Sequence, residues 1–132
     1  MALLKIEDII AKKEELKDQA KEQKCLIHCR KLGGEFEAHS LNKGDLADVR
    51  SKMKEDYLQG IQYLIYMSID YLRDPKLLES YGCKTNSARI VERLFPKENE
   101  IVAIGEILME LNGISEIRPG EIFKKEIEDL KN

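Results

Sequence analysis

Few residues in this sequence are suited to chemistry. Cys25-x-x-His28-Cys29 places two thiols and an imidazole close together, with His39 and Cys83 further along the chain. Zinc would need four nitrogen or sulfur ligands converging as a tetrahedron. A cysteine nucleophile would need a base within hydrogen-bond reach and a basic or helix-terminal setting. The local pattern argues against both. If this segment is a strand, alternation sends Cys25 and Cys29 to one face and His28 to the other. Two small buried thiols and two surface histidines account for the same residues without a ligand. Leu32-Gly33-Gly34-Glu35 lacks the lysine and following helix N-terminus of a phosphate-binding loop. Acidic side chains are abundant, but they alternate with Lys along helical stretches, where they form solvated faces or i,i+4 pairs. The sequence therefore reads as non-enzymatic, with no catalytic residue, cofactor or metal expected.

The surrounding elements follow from hydrophobic period and punctuation. Residues 1–23 predict an N-terminal helix whose apolar stripe, Ile6, Ile9, Ile10 and Leu16, is thin for its length. Residues 24–41 predict a β-hairpin turned at Gly33-Gly34, because glycine permits the positive φ of tight hairpin turns. Cys25, Ile27, Cys29, Phe36 and Ala38 would face the core, while Glu35, Glu37 and His39 would face water. Residues 45–113 predict a helical core. Asp45 is a candidate N-cap for a helix ending near Lys54. A long helix over 57–73, apolar nearly all round, is the expected hub. Asp74-Pro75 should end it and open a short helix closed by Gly82. A helix from Ala88 to Phe95 stops at Pro96. The helix from Lys97 to Asn112 carries Gly105 beside its apolar stripe, which would allow close helix approach, and Gly113 sits where a left-handed C-cap belongs. Residues 119–131 predict a last helix, with Ile122, Phe123, Ile127 and Leu130 at helical spacing. Those four either dock on the protein's own core or bind a partner by lying in its groove. The expected fold is α+β: a mainly α-helical single domain, residues 1–132, with an N-terminal β-hairpin.

Composition narrows the function classes. Twenty-two Lys and Arg face 25 Asp and Glu, a formal net charge of −3. That balance argues against a protein that coats nucleic acid, which would carry a basic excess. No run approaches the roughly 18 apolar residues of a membrane-spanning helix. The richest stretch, Tyr63 to Ile69, is interrupted by Ser68 and followed by Asp70. Acids near the start are unlike a secretory signal, and three cysteines at these spacings suit a reducing cytosol better than a disulfide framework. The expected partner is another protein, with no membrane and no nucleic acid, and self-association is left open. A small regulatory or adaptor protein binding another protein or DNA is the alternative reading.

One pattern is more specific. Asp74-Pro-Lys-Leu-Leu-Glu-Ser-Tyr-Gly-Cys83 is followed by Ile90-Val-Glu-Arg-Leu-Phe95 and Glu100-Ile-Val-Ala-Ile-Gly-Glu-Ile-Leu-Met-Glu-Leu-Asn-Gly113. Together with the opening Ala2-Leu-Leu-Lys-Ile-Glu-Asp-Ile-Ile and a hairpin leading into a helix, this resembles the XkdN-like family of phage tail assembly chaperones, found in PBSX-type prophages and related contractile-tail elements. The Asp-Pro to Tyr-Gly-Cys run is its most specific part, and the likeness extends to Gly113. The resemblance implies a non-enzymatic protein of the host bacterium's cytoplasm. It would bind the tape measure protein, engage tail tube protein during tube assembly, and be absent from the mature tail. It implies nothing for Ile122 through Leu130, whose partner-binding role rests on their spacing alone.

Overall fold

The computed structural model describes residues 3–116 and 119–127. The fold is α+β and mainly helical, with a two-stranded antiparallel hairpin near the N-terminus. The chain divides into two compact units: Glu22–Ser115, and the terminal segments Met1–Lys21 with Glu116–Asn132.

In the terminal unit the expected long N-terminal helix is two short ones, α1 (Ile6–Ala11) and α2 (Lys13–Gln19), interrupted at Lys12. Neither helix buries a residue. Six- and seven-residue helices with no packed face have little beyond local propensity to extend them. The helix expected over 119–131 is also not what forms over residues 119–126, which are turn, bend and irregular chain. Gly120, directly after Pro119, adopts φ +86°, a left-handed geometry that stops a right-handed helix at its first turn. Leu130 lies outside the described residues.

The larger unit begins with the hairpin, β1 (Lys24–Cys29) paired to β2 (Gly34–His39), with Ile27 opposite Phe36 and Cys25 opposite Ala38. Gly33 and Gly34 do not form the turn between them. A 3₁₀ turn over Arg30–Leu32 makes the reversal, Gly33 closes it at φ +78°, and Gly34 already belongs to β2, opposite Cys29. The inward face is as expected: Ile27 and Ala38 are buried, with Cys25, Cys29 and Phe36 packed on the same core.

Helix α3 (Lys43–Glu55) starts earlier than Asp45 predicts. Asn42 is the N-cap, its side-chain oxygen accepting the Asp45 amide hydrogen at 2.8 Å. Asp56 is extended, separates α3 from α4 (Tyr57–Ser68), and caps α4 by accepting from the Gln59 amide at 3.2 Å. The hub helix is five residues shorter than expected, because buried Ile69 is extended and a 3₁₀ turn covers Asp70–Arg73. Arg73 reaches back from that turn and donates to the Tyr66 and Met67 carbonyls at 2.7 and 2.9 Å, meeting acceptors that the helix end leaves open. Asp74 caps α5 (Pro75–Ser80), with Pro75 at its start and Gly82 left-handed at its close. The next expected helix is a 3₁₀ turn over Ser87–Arg89 running into α6 (Ile90–Leu94). Helix α7 (Glu98–Leu111) ends with Gly113 at φ +70°.

The core centres on α4, where Ile61, Leu64 and Ile65 are fully buried beside Ile69, Leu72, Ile90, Val91 and Leu108. Two glycines set how closely its neighbours approach. A Cβ on Gly105 of α7 would lie 2.5 Å from Ile61 Cγ2, and one on Gly60 would lie 2.6 Å from the Met53 backbone nitrogen in α3. At the far end of α7, Asn112 accepts from the Leu41 amide at 2.7 Å and donates to the Leu108 carbonyl at 2.8 Å, which fixes the chain between hairpin and α3.

Gly60→Ala should destabilise the protein by about 2–3 kcal/mol, since a backbone atom must move and overpacking outweighs the gain in helix propensity. Gly105→Ala should cost less, about 1–2 kcal/mol, because Ile61 can yield through its side chain. Denaturant unfolding of both variants would test the ranking, and a neutral Gly60→Ala would refute the close approach. Ser68, wholly buried, has a hydroxyl without a hydrogen-bond partner. Ser68→Ala should therefore stabilise the fold by about 1 kcal/mol, and a loss of stability would show that the hydroxyl is bonded.

Candidate partner-binding surfaces

The residues suited to chemistry do not converge. On β1, Cys25 and Cys29 pack against the core, while His28 projects from the opposite, exposed face and meets Glu35 at 2.9 Å. Burial pushes the Cys25 thiol above its usual range, away from the thiolate a nucleophile or metal ligand needs. Cys83 is buried, its thiol directed to the Tyr81 carbonyl at 3.5 Å. Among the described residues no group of three or more His, Cys, Asp or Glu is placed to hold a metal ion. Nor is any described helix long and apolar enough to cross a membrane.

What the larger unit does present is a groove of about 620 Å³ between the hairpin and the α6–α7 corner. Ile27, Cys29, Phe36, Phe95 and Ile104 supply its apolar lining. Phe36 and Phe95 meet edge to face, centroids 6.3 Å apart at 72°, an arrangement that sets the positive ring edge on the negative face. Lys31, from the hairpin turn, spans the mouth. Its ammonium lies 3.0 Å from Glu100 of α7 and 5.0 Å from the Phe95 ring centroid. The hydrogen bond from Lys31 leads the influences that hold the Glu100 carboxylate below its ordinary range.

The terminal unit presents apolar side chains of a different kind. Ile122, Phe123 and Ile127 are 79%, 62% and 75% exposed. Leu3, Leu4, Ile6, Ile9, Ile10 and Leu16 are exposed as well. Scattered apolar exposure is ordinary on a protein surface, but nine large side chains confined to two short segments are a concentration. The structure therefore places three of the four sequence-selected partner residues at the surface, though not along one face of a helix.

Sequence reading missed a polar cluster at the base of the hairpin. His39 keeps the Glu37 side of the strand, as alternation requires, but it is not solvated there; its side chain is 21% exposed and lies between acceptors. Nε2 is 2.8 Å from Asp70 Oδ1, Nδ1 is 2.9 Å from the Ser40 carbonyl oxygen, and Glu22 lies 3.4 Å from Nδ1. Asp70 also accepts from Arg73, the residue that caps α4. The only local signal was Asp70 and Arg73 three residues apart; nothing in the sequence pairs either with His39.

Phe36→Leu and Phe95→Leu should each weaken the fold, and the double variant should be less damaging than their sum by about 0.5–1.5 kcal/mol, the worth of an aromatic pair beyond its buried area. Strict additivity in a double-mutant cycle would show that the two rings do not support each other. No family model matches the chain, and no curated protein or solved structure matches it.

Proposed function

We propose that this protein is a phage or prophage tail assembly chaperone that binds the tape measure protein in the host cytoplasm and assists tail tube assembly without entering the mature tail. The likeness of Asp74 to Cys83, and of the helices that follow, to the XkdN-like family is the reason for naming this class. The observation that carries the reading in physical terms is the concentration of exposed apolar side chains in the terminal segments. A long helical tape measure offers apolar stripes that must be covered until the tube closes round it, and short apolar-bearing segments joined to a stable body suit that task. Contacts made by separate Leu, Ile and Phe side chains, without a tryptophan anchor, are individually weak, which suits a protein displaced as tube subunits add.

The family likeness runs through α5, α6 and α7, whose Leu78, Ile90, Val91, Leu94, Ile101, Ile104 and Leu108 belong to the core. It also takes in the opening residues 2–10, so only the C-terminal part of the proposed partner surface, after Gly113, lies outside it. Ile122, Phe123 and Ile127 are assigned to binding on apolar spacing and exposure, and Leu130 on spacing alone. Tail tube protein is the second partner, engaged as the tape measure is handed over.

Co-expression with the tape measure protein of the same tail should raise its soluble fraction and yield a co-purifying complex. Replacing Ile122, Phe123 and Ile127 together with Ser should cut that association at least tenfold while leaving the unfolding transition within about 0.5 kcal/mol, as expected of exposed positions. Mass spectrometry of purified tails should find the tape measure without this chain. A tape measure equally soluble with and without it, or stoichiometric presence in finished tails, would overturn the reading.

A further inference from the structure

His39 closes the hairpin onto the helical body, and its surroundings accept hydrogen bonds on every side. From β2 itself the next residue, Ser40, points its carbonyl at Nδ1 at 2.9 Å. From the chain before β1, Glu22 Oε1 is 3.4 Å from the same nitrogen. From the turn after α4, Asp70 Oδ1 is 2.8 Å from Nε2. A carbonyl and a carboxylate cannot donate, so both ring nitrogens must. A neutral imidazole carries one N–H and can serve only one of them, whereas the imidazolium carries two. The positive groups nearby are otherwise engaged. Arg73 is bound to Asp70, and Lys24, opposite His39 in the strand register, meets Glu37 at 3.4 Å. Tyr71 completes the pocket wall beside Glu37.

We propose that His39 is a proton-operated latch: its imidazolium, donating from both ring nitrogens, ties the end of β2 to the turn after α4, and loss of one proton releases one of those two bonds. Either neutral tautomer weakens the tie to Asp70, one by giving up the bond and the other by keeping it without the ring's positive charge, and Asp70 is shared. It joins the hairpin to Arg73, and through Arg73 to the carbonyls at the end of α4. The same strand carries Phe36, a wall of the apolar groove, so the hairpin's attachment and the groove respond to one proton. The latch is independent of what the protein binds.

The direction of the pH dependence follows from the two partners. Burial of the ring is the largest influence on His39 and opposes its charge, but the Ser40 carbonyl, Asp70 and Glu22 outweigh it, and the imidazole titrates above its usual 6.5. Asp70, held chiefly by its hydrogen bond to His39, titrates below its usual 3.8. A raised histidine contributes stability that is complete below 6.5 and fades as pH rises through the folded-state value. A lowered aspartate contributes above 3.8 and fades as pH falls through its own folded-state value. The latch is therefore strongest between those usual values and opens on the alkaline side.

The test is nitrogen-15 NMR of the imidazole in the full chain, combined with hydrogen exchange of the β1 and β2 amides corrected for the intrinsic effect of pH. Both ring nitrogens should be protonated at pH 6, with the titration above 6.5. Hairpin protection should fall roughly three- to tenfold across that titration, about what one partly exposed charged hydrogen bond supports, while α4 and α7 amides stay protected. Asp70→Asn should return the titration to 6.5 or below and flatten the hairpin response. His39→Gln, which keeps one donor group and has no proton to lose, should hold hairpin protection at a low, pH-independent level. If Asp70→Asn fails to fold, the wild-type protein decides the matter. A His39 titration at or below 6.5, or hairpin protection unchanged through it, overturns the latch.

Discussion

The fold depends on two missing side chains. Helix α4 packs against α3, α6 and α7, and it takes that place because Gly60 admits the backbone of α3 while Gly105 of α7 admits Ile61. Consecutive positions on α4, Gly60 and Ile61, thus serve opposite purposes: one is a notch and the other a knob. Close-packed interiors transmit such constraints, because a helix axis held away by one methyl group leaves its neighbours unpacked. Phe95, Ile101, Ile104 and Leu108 are buried only if α7 lies where Gly105 lets it. The hairpin rests in turn on that corner through Phe36.

Local features of this arrangement were legible in the sequence and distant ones were not. Alternation in 24–29 assigned the inward face of β1 because a strand's side-chain period is two regardless of context. Asp74-Pro75, Gly82, Gly113 and the close approach at Gly105 could be read because proline and glycine impose their geometry locally. The failures have one physical cause. The N-terminal helix, the tight Gly33-Gly34 turn, the long hub helix and the last helix were each extended from a pattern whose limits are set by something non-local. Ile69 leaves α4 as an extended, fully buried residue, and Arg73 meets the freed carbonyls; helical spacing through Leu72 cannot announce that. At 119–127 spacing alone pointed to a helix, but no buried face supports one there.

The candidate surfaces divide in the same way. Exposed Ile122, Phe123 and Ile127 were selected on apolar type and spacing, and exposure is what the structure adds. The groove over Phe36 and Phe95 needed the hairpin and α7 to meet, residues roughly sixty positions apart, so no local motif marked it. The His39 cluster joins three chain regions through single side chains. Its one local trace, Asp70 and Arg73, is indistinguishable in sequence from an ordinary surface ion pair.

Asn112 carries a consequence for how the chain acquires this structure. Its amide serves Leu41, 71 residues earlier, and one turn of its own helix at once. During synthesis the hairpin strands can meet as soon as His39 has emerged, since they are neighbours in sequence, but the Leu41 amide, between hairpin and α3, does not meet Asn112 until the end of α7 leaves the ribosome. Long-range closures of this kind come late, because the entropy of the intervening loop must be overcome first. Through most of translation the hairpin, marginal until it packs on the helices, and the growing set of helices are therefore linked by an unlocked joint, and one asparagine marks the moment that joint sets.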